Sequence, residues 1–325
     1  MNDSFGRKVD YLRISVTDRC NERCLYCMPE GYKGWERQAD HLSAEEIIRV
    51  VRVAAQLGFR KFRLTGGEPL VRGDLVEIVR GMKEISGVEI IGLSTNGTRL
   101  AAHAKVLRDA GLRTVNVSLD ALDPEIYRRV TGGNVADVLA GIRAAVAAGF
   151  ERVKLNCVLM RGKNETEIWP LVLFAAEHGL PLRFIELMPL SRTDVLTAEN
   201  FLAVGEVMQR LREKDNLIPQ PDRQEGHGPA KYYLLERIGG LVGFIGAMTN
   251  LNFCESCNKV RLTADGKIRP CLGNHGEVDV RSLLRVGGDD LALKRLFFEM
   301  LEQKAPAHAF REGYMPGRPM IAIGG

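Results

Sequence analysis

The chain has 325 residues, of which 45% are hydrophobic and 26% are charged, a composition that excludes a largely disordered protein. Its formal net charge of +4 is too small to indicate a nucleic-acid partner, although it permits a local basic pocket for an anionic ligand. No apolar run reaches the ~18–20 residues of a membrane-spanning helix, the first residues lack a secretory-signal pattern, and seven cysteines are too few for a disulfide scaffold. We therefore expect a cytoplasmic protein with no membrane partner, in which clustered cysteines bind metal.

Short β-branched runs and helical patterns alternate through the first two thirds of the sequence. In chain order, the predicted strands cover residues 9–17, 59–67, 88–95, 113–120, 152–160 and 182–188. The predicted helices follow them at 43–58, 74–85, 99–111, 134–149, 166–179 and 197–214, and Ser43 and Glu46 form a capping box at the first helix. Such alternation predicts an α/β fold with a parallel sheet and right-handed crossovers. Because eight units would close a barrel, six predict a partial (β/α)6 TIM-type barrel that is open on one side.

The last third of the sequence has a different texture. Residues 216–231 contain several Pro and Gly residues and predict a linker. Short strands, many glycines and three cysteines follow. We therefore divide the chain into a partial-barrel domain of residues 1–216 and a smaller C-terminal domain of residues 217–325, which we expect to cover the opening.

Three cysteines, Cys20, Cys24 and Cys27, form a C-x3-C-x2-C pattern after the first predicted strand. Three thiolates from one loop can bind three irons of a cubane cluster and leave the fourth iron free to bind a substrate. A zinc site is the alternative, but zinc usually takes four ligands, and only the distant His41 could complete this set. We call these cysteines the first triad, and the loop that carries them lies where such folds place their chemistry.

Two further patterns carry candidate ligands. The run R-L-T-G-G-E-P at 63–69 ends the second predicted strand, where its glycines would let the backbone approach a ligand closely and Glu68 could receive an ammonium group. A second triad, Cys254, Cys257 and Cys271, again has three cysteines rather than four. Taken alone, it also fits a zinc site completed by His275, since three cysteines and one histidine are an ordinary zinc set.

On the C-x3-C-x2-C pattern and Gly66-Gly67-Glu68-Pro69, the chain resembles the radical S-adenosylmethionine (SAM) superfamily. It resembles more closely the molybdenum-cofactor biosynthesis protein A family, the GTP 3′,8-cyclases. That resemblance lies in the second triad and in residues 10–29, 63–70, 93–97, 116–123, 183–189, 230–233 and the terminal Gly324-Gly325. It implies two [4Fe-4S] clusters and SAM as cofactors, with SAM on the first cluster and the guanine of GTP on the second.

The resemblance also implies the contacts of both small molecules. SAM would contact Tyr26, Gly67, Glu68, Ser118 and Met188. GTP would contact Arg13, Lys61, Arg63, Ser94, Lys154, Arg183, Lys259, Val260 and Arg261. Lys259 stands where the family often has the first Arg of an Arg-x-Arg segment. A lysine keeps the positive charge but cannot donate two parallel hydrogen bonds as a guanidinium does. The implied catalytic residues are Arg261, Gly324 and Gly325. The two glycines would belong to a C-terminal tail that enters a crowded site, where only backbone fits.

The implied reaction is the first step of molybdenum cofactor biosynthesis. The 5′-deoxyadenosyl radical takes hydrogen from C3′ of GTP, C3′ attacks C8 of guanine, and an electron and a proton complete 3′,8-cyclo-7,8-dihydro-GTP. The implied partners are an electron donor of the flavodoxin or ferredoxin type, cyclic pyranopterin monophosphate synthase as product acceptor, and a second copy of the chain in a homodimer. The alternatives are another two-cluster radical SAM enzyme, such as a peptide-modifying maturase, and a non-catalytic iron–sulfur electron carrier.

Overall fold

The computed structural model describes residues 1–28, 31–35, 37–191, 195–221 and 228–324, with the side chain of Gln38 left out. The strands in these ranges are β1 Tyr11–Ser15, β2 Lys61–Thr65, β3 Ile90–Thr95, β4 Thr114–Ser118, β5 Arg152–Leu159, β6 Leu182–Glu186, β7 Leu217–Pro219, β8 Lys231–Leu235, β9 Leu241–Ile245, β10 Lys259–Leu262, β11 Lys267–Arg269 and β12 Val278–Asp279. The α-helices are α1 Ala44–Gln56, α2 Leu75–Lys83, α3 Leu100–Ala110, α4 Pro124–Thr131, α5 Val135–Ala147, α6 Ile168–Glu177, α7 Val204–Arg212, α8 Arg281–Arg285, α9 Asp290–Glu302 and α10 Met320–Ile323. None of these helices is both long and apolar enough to cross a membrane.

The strands form one 12-stranded sheet in the order β12-β11-β10-β1-β2-β3-β4-β5-β6-β9-β8-β7. Strands β1 to β6 are parallel and neighbour one another in chain order, as the alternating pattern predicts. Beyond them, β10 pairs parallel with β1 and β9 pairs parallel with β6. The C-terminal third therefore extends the barrel sheet at both of its edges, and β12 and β7 become the outermost strands.

The apolar core lies between the sheet and the helices that cover its outer face. Alternate strand residues point to this core, as Leu12 and Ile14 of β1 do, because successive side chains of a strand face opposite sides. The capping box predicted at α1 is present, with Glu46 N donating to the Ser43 hydroxyl and Ser43 N donating to Glu46. The other face of the same strands is left to the polar residues that line the barrel interior.

Three predictions of secondary structure differ from the structure. The last predicted helix begins at Val204 rather than at residue 197, because a buried carboxylate accepts the hydrogen bond of Val204 N. The predicted linker contains β7, which pairs antiparallel with β8. The sequence prediction also lacked α4, which Asp123 caps by accepting from the backbone of Glu125 and Ile126.

The carboxylate that begins α7 belongs to Glu186, which is fully buried at the end of β6. Its two oxygens accept from Val204 N (3.1 Å), Met248 N (2.8 Å), Thr249 N (3.1 Å) and the Thr249 hydroxyl (2.6 Å). Glu186 thus joins the barrel to α7 and to the loop after β9.

We predict that Glu186→Gln lowers the free energy of unfolding by about 2–3 kcal/mol, because the substitution removes a charge that several N–H groups share and turns an amide donor toward them. Urea unfolding of protein with matched iron content, followed by circular dichroism, measures this loss. Glu177→Gln at the exposed end of α6 is the control. Equal stability of the two variants would contradict the structural role of Glu186.

Candidate active site

Both cysteine triads line a single cavity of about 1110 Å³ at the carboxyl ends of the barrel strands. The six thiols are free, and each is partly exposed to this cavity. This volume is slightly above the ~300–1,000 Å³ of ordinary small-molecule sites, which suits two ligands better than one. The structure therefore places both cysteine triads at the carboxyl ends of the strands, where the sequence predicts the active site.

Backbone hydrogen bonds attach the loop of the first triad to the C-terminal end of α4. Arg23 N donates to Thr131 O (2.7 Å) and Leu25 N donates to Val130 O (2.9 Å), while Cys27 N closes a turn on Cys24 O (3.0 Å). These backbone bonds keep the three thiols on one wall of the cavity.

Burial raises the pKa of the Cys20 thiol to about 11, and nearby Glu68 and Glu22 add to the effect. The pKa values of Cys24 and Cys27 are raised as well, first by burial and then by neighbouring negative charge. Thiolates at these positions need cations beside them, and metal binding releases the thiol protons. The first triad therefore fits a metal cluster chemically.

The glycine turn after β2 is packed against the loop that leads to the first triad. A Cβ on Gly66 would lie 2.3 Å from Thr17 O, and one on Gly67 would lie 2.3 Å from Arg19 O. Gly67 N donates to Thr17 O (2.7 Å) and also lines the cavity. The glycines are thus required by a close backbone approach within the protein, beside any contact with SAM.

Glu68 differs from the expectation that it receives an ammonium group. It is fully buried, and its carboxylate accepts from Leu70 N (2.9 Å), the Thr95 hydroxyl (2.7 Å) and Asn96 N (2.7 Å). Burial raises its pKa to about 7. Glu68 ties the glycine turn to the end of β3, so this carboxylate positions the wall behind the cavity.

The other residues expected to contact SAM, Tyr26, Ser118 and Met188, all line the cavity. The Tyr26 hydroxyl donates to Asp120 Oδ2 (2.7 Å), and Val158 N donates to the other oxygen of that carboxylate (2.8 Å). Burial raises the pKa of Asp120 to about 6. The sequence analysis did not identify Asp120 as a site residue, although an acidic residue at the end of a predicted strand was an available signal.

The second triad is surrounded by positive charge. Lys304 Nζ lies 3.8 Å from Cys257 Sγ, and Arg7 donates to Cys254 O (3.1 Å). Burial alone would raise the pKa of Cys257, but the charges of Lys304 and Lys259 hold it below its usual value. This environment favours a bound thiolate.

The histidines considered as zinc ligands are engaged elsewhere. The His275 ring stacks on Tyr314 with a centroid distance of 4.9 Å, and His41 Nε2 lies 3.1 Å from Asp18. Within the described ranges, no three His, Cys, Asp or Glu side chains converge on one ion position. A cubane cluster needs no such convergence, because each thiolate binds a different iron. The geometry of both triads therefore fits clusters better than mononuclear zinc.

Basic side chains form rows across the inner face of the sheet. Arg261 of β10, Arg13 of β1 and Arg63 of β2 stand side by side in the strand register, and Lys259 and Lys61 flank Tyr11 in the next row. These positions face inward together because they are two residues apart on parallel strands. Lys154 of β5 and Arg183 of β6 continue the set, which we call the inward cations: Arg13, Lys61, Arg63, Lys154, Arg183, Lys259 and Arg261.

Neutral groups accept the hydrogen bonds of several inward cations. Arg63 donates to the Tyr11 hydroxyl (2.6 Å) and to Leu93 O (2.6 Å), and Arg183 donates to Asn156 Oδ1 (2.8 Å). Lys61 differs, since its ammonium pairs with Asp10 at 3.0 Å.

Burial lowers the pKa of Arg13 to about 10, and burial with the charge of Arg13 lowers that of Arg261 to about 9. A polyanion bound among these groups would relieve both effects. The electrostatics of the inward cations thus favour an anionic ligand.

Two glycines leave room for the longest of these side chains. A Cβ on Gly92 would lie 2.6 Å from Arg63 Nη2, and one on Gly243 would lie 3.2 Å from Arg183 Cγ. Ser94, the further residue expected to contact GTP, lines the cavity beside them. Val260 differs from expectation, because its side chain is fully buried in the core on the opposite face of β10.

The C-terminal tail reaches the strand ends. Met320 N donates to the Ser191 hydroxyl (3.2 Å), and Arg261 Nη1 donates to Gly324 O. Gly324 has a φ of +84°, and a Cβ there would lie 2.9 Å from Thr65 Cγ2 and 3.0 Å from Ser15 Cβ. Gly325 lies outside the described residues. The tail is therefore docked by backbone contacts at a place where a side chain does not fit.

Residues 14–175 match the family model described as the Radical SAM superfamily, and residues 180–310 match the model described as Molybdenum Cofactor Synthesis C. The chain is 44% identical over 326 residues to a protein named GTP 3′,8-cyclase from Pelotomaculum thermopropionicum, with 100% of each covered. It is 45% identical over 326 residues to a protein of the same name from Moorella thermoacetica, again with 100% of each covered.

Solved structures share the fold at low sequence identity. Streptococcus suis SuiB bound to the precursor peptide SuiA has a TM-score of 0.62 and 17% identity, with 87% of this chain and 65% of that chain covered. Native anSMEcpe with bound AdoMet has a TM-score of 0.60 and 17% identity, with 92% and 82% covered. These likenesses concern the fold alone, and they confirm the predicted open barrel.

Proposed function

The chain belongs to the GTP 3′,8-cyclase family of the radical SAM superfamily, and on that basis we propose that it converts GTP to 3′,8-cyclo-7,8-dihydro-GTP. The observation that supports this most strongly is the single cavity that both cysteine triads and the inward cations line. When bound, the first cluster and SAM supply the reductive cleavage that removes hydrogen from C3′ of GTP and yields methionine and 5′-deoxyadenosine.

The residues of the chain bind and orient the reactants. The inward cations hold the triphosphate through charge-assisted hydrogen bonds, and the second triad holds the cluster that receives guanine. Tyr26, Gly67, Ser118 and Met188, which line the same cavity, would hold SAM. Arg261 and the Gly324 carbonyl fix the tail beside the strand ends, where it excludes water and keeps the reacting atoms close. Positioning of this kind is the protein's main contribution when cofactors carry the bond cleavage.

We predict that Lys154→Ala and Arg183→Ala each weaken GTP binding by roughly ten- to a hundred-fold and leave SAM binding unchanged. Each removes one charge-assisted contact worth ~1.5–3 kcal/mol. Equilibrium binding of both ligands to anaerobically reconstituted protein measures this. Arg152→Ala, on the exposed start of β5, is the matched control. An equal loss of SAM affinity would show that these two residues act through the fold.

We infer further that an electron donor of the flavodoxin or ferredoxin type reduces the first cluster in the cytoplasm. The product requires a further enzyme, and cyclic pyranopterin monophosphate synthase is the proposed acceptor. A homodimer is also proposed. These proposals are supported by the family resemblance and by the need of the reaction for electrons.

The proposed function is tested by anaerobic incubation of the reconstituted protein with SAM, GTP and dithionite. One hydrogen leaves C3′ and one electron and one proton are added, so the product is an isomer of GTP with the same mass. It must therefore be separated by chromatography and identified by its changed absorption and unchanged mass. ATP in place of GTP is the control. Release of 5′-deoxyadenosine with GTP left intact would overturn the substrate assignment, and no release at all would favour an electron carrier.

A further inference from the structure

Lys304 is a buried lysine beside the second triad. The proposed function assigns no role to this side chain. Lys304 lies two residues after the end of α9 and is 3% exposed. Its ammonium donates to Pro270 O (2.8 Å) and Lys259 O (3.0 Å), and it lies 3.8 Å from Cys257 Sγ. An ammonium has three donors, so these three acceptors use all of them.

The acceptors of Lys304 lie on the two segments that carry the second triad. Lys259 comes two residues after Cys257, and Pro270 directly precedes Cys271. Along the chain, β10, β11 and the turn between them separate those two segments. The side chain of Lys304, from a third part of the chain, therefore bridges the two cysteine-bearing segments.

The charge of Lys304 also acts on any cluster held there. Reducing an iron–sulfur cluster adds one negative charge, and a buried cation stabilises that charge more than an exposed one does. Hydrogen bonds to cluster sulfurs and nearby charge are among the factors that set cluster potentials. The first triad has different surroundings, since the buried carboxyl groups of Glu22, Glu68 and Asp120 lie near its thiols.

We propose that Lys304 is a positioning residue of the second cluster, which bridges the two cysteine-bearing segments and raises the reduction potential of that cluster through its contact with Cys257 Sγ. This inference rests on the proposed second cluster. It predicts that the two clusters of one chain differ in potential because an ammonium group contacts the second triad, whereas carboxyl groups lie near the first.

The test compares wild-type holoenzyme with Lys304→Met, which keeps the length of the side chain and removes its charge and donors. Lys304→Gln, which keeps two donors and removes the charge, is the second variant. Lys294→Met, at a half-exposed lysine on the preceding helix α9, is the matched control for a lost positive charge. Iron is counted, and the potential of each cluster is measured by electron paramagnetic resonance during a redox titration. A chain with Cys20, Cys24 and Cys27 changed to Ala assigns the signal of the second cluster.

We expect Lys304→Met and Lys304→Gln to shift the second cluster to lower potential and to leave the first unchanged. The expected size is about a tenfold fall in the ratio of reduced to oxidised second cluster at a fixed potential, ~59 mV for a one-electron couple. Loss of the second cluster from both variants, with the first retained, would support the bridging role. Full iron content with an unchanged second potential in both would overturn the inference. A wild-type chain with about four irons would overturn the proposed second cluster itself.

Discussion

A chain in which Cys20, Cys24 and Cys27 are all alanine is expected to retain about four irons and to release no 5′-deoxyadenosine from SAM. The wild-type chain, with two cubane clusters, should hold about eight. The physical reason is that the first triad supplies three iron ligands from one loop, and the open iron beside it is the proposed binding site of SAM. The second triad, in the loops before β10 and after β11, does not depend on that loop for its geometry.

Cys157→Ala is the matched control for this experiment. Cys157 is 1% exposed and lies on β5 with its sulfur 3.9 Å from Asp120 O, so its loss removes a cysteine without touching either triad. It should keep about eight irons and the activity. Iron and labile sulfide are counted on anaerobically reconstituted protein. About eight irons in the triple variant, or one zinc at the second triad of the wild-type chain, would contradict the assignment.

Gly324→Ala is expected to leave both clusters and the binding of GTP and SAM intact and to reduce cyclisation of GTP by about a hundred-fold. Gly324 has a positive φ, and its Cα faces Ser15 and Thr65 at the ends of β1 and β2. A methyl group would collide there and displace the carbonyl that accepts from Arg261. A displacement of ~1 Å at a reacting centre is enough for a loss of this size. Deletion of Gly324 and Gly325 should have the same effect.

Gly313→Ala controls for backbone strain in the same tail. Gly313 also has a positive φ, +72°, but a Cβ there would meet nothing within 4 Å. The two variants thus share the strain of an L residue in the left-handed region and differ in crowding. The measurement is the yield of 5′-deoxyadenosine and of cyclised nucleotide in a single turnover. Wild-type yields from Gly324→Ala would show that the tail does not position the reacting atoms.

The parallel sheet and the first triad could be predicted from the sequence because their determinants are local. Each of the six predicted strands contains one of β1 to β6, since periodic apolar residues and short loops determine such units. The C-x3-C-x2-C pattern lies within one loop, so its three ligands favour a cluster over a four-ligand zinc site. The inward direction of Arg13 and Arg63 follows from the alternation of strand residues.

Contacts between distant segments could not be predicted in this way. Lys304 is 47 residues from Cys257 in the sequence, and a lysine after a helix carries no signal of a buried ammonium. In the sequence, Glu186 looks like any other strand residue. In the structure, its carboxylate accepts from Val204 N, 18 residues later in the chain, where α7 begins. The pairing of β10 with β1 and of β9 with β6 also depends on the folded sheet rather than on any local pattern.

Lys259 shows how the structure refines a resemblance. Its ammonium donates to Asn258 Oδ1 (2.9 Å) and lies over the Tyr11 ring at 5.7 Å from the centroid. The Tyr11 hydroxyl accepts from Arg63, so one aromatic side chain contacts two of the inward cations. A lysine suits this cation–π contact, because an ammonium above a ring does not need the planar donor geometry of a guanidinium.

Incubation with GTP that carries deuterium at C3′ tests the proposed reaction most directly. The reconstituted protein is supplied anaerobically with SAM and dithionite, and 5′-deoxyadenosine and the cyclised nucleotide are separated and weighed by mass spectrometry. We predict 5′-deoxyadenosine one mass unit heavier than the unlabelled compound, and a nucleotide one unit lighter than the labelled GTP. Unlabelled 5′-deoxyadenosine together with a nucleotide that retains its deuterium would contradict hydrogen removal from C3′ of GTP by this enzyme.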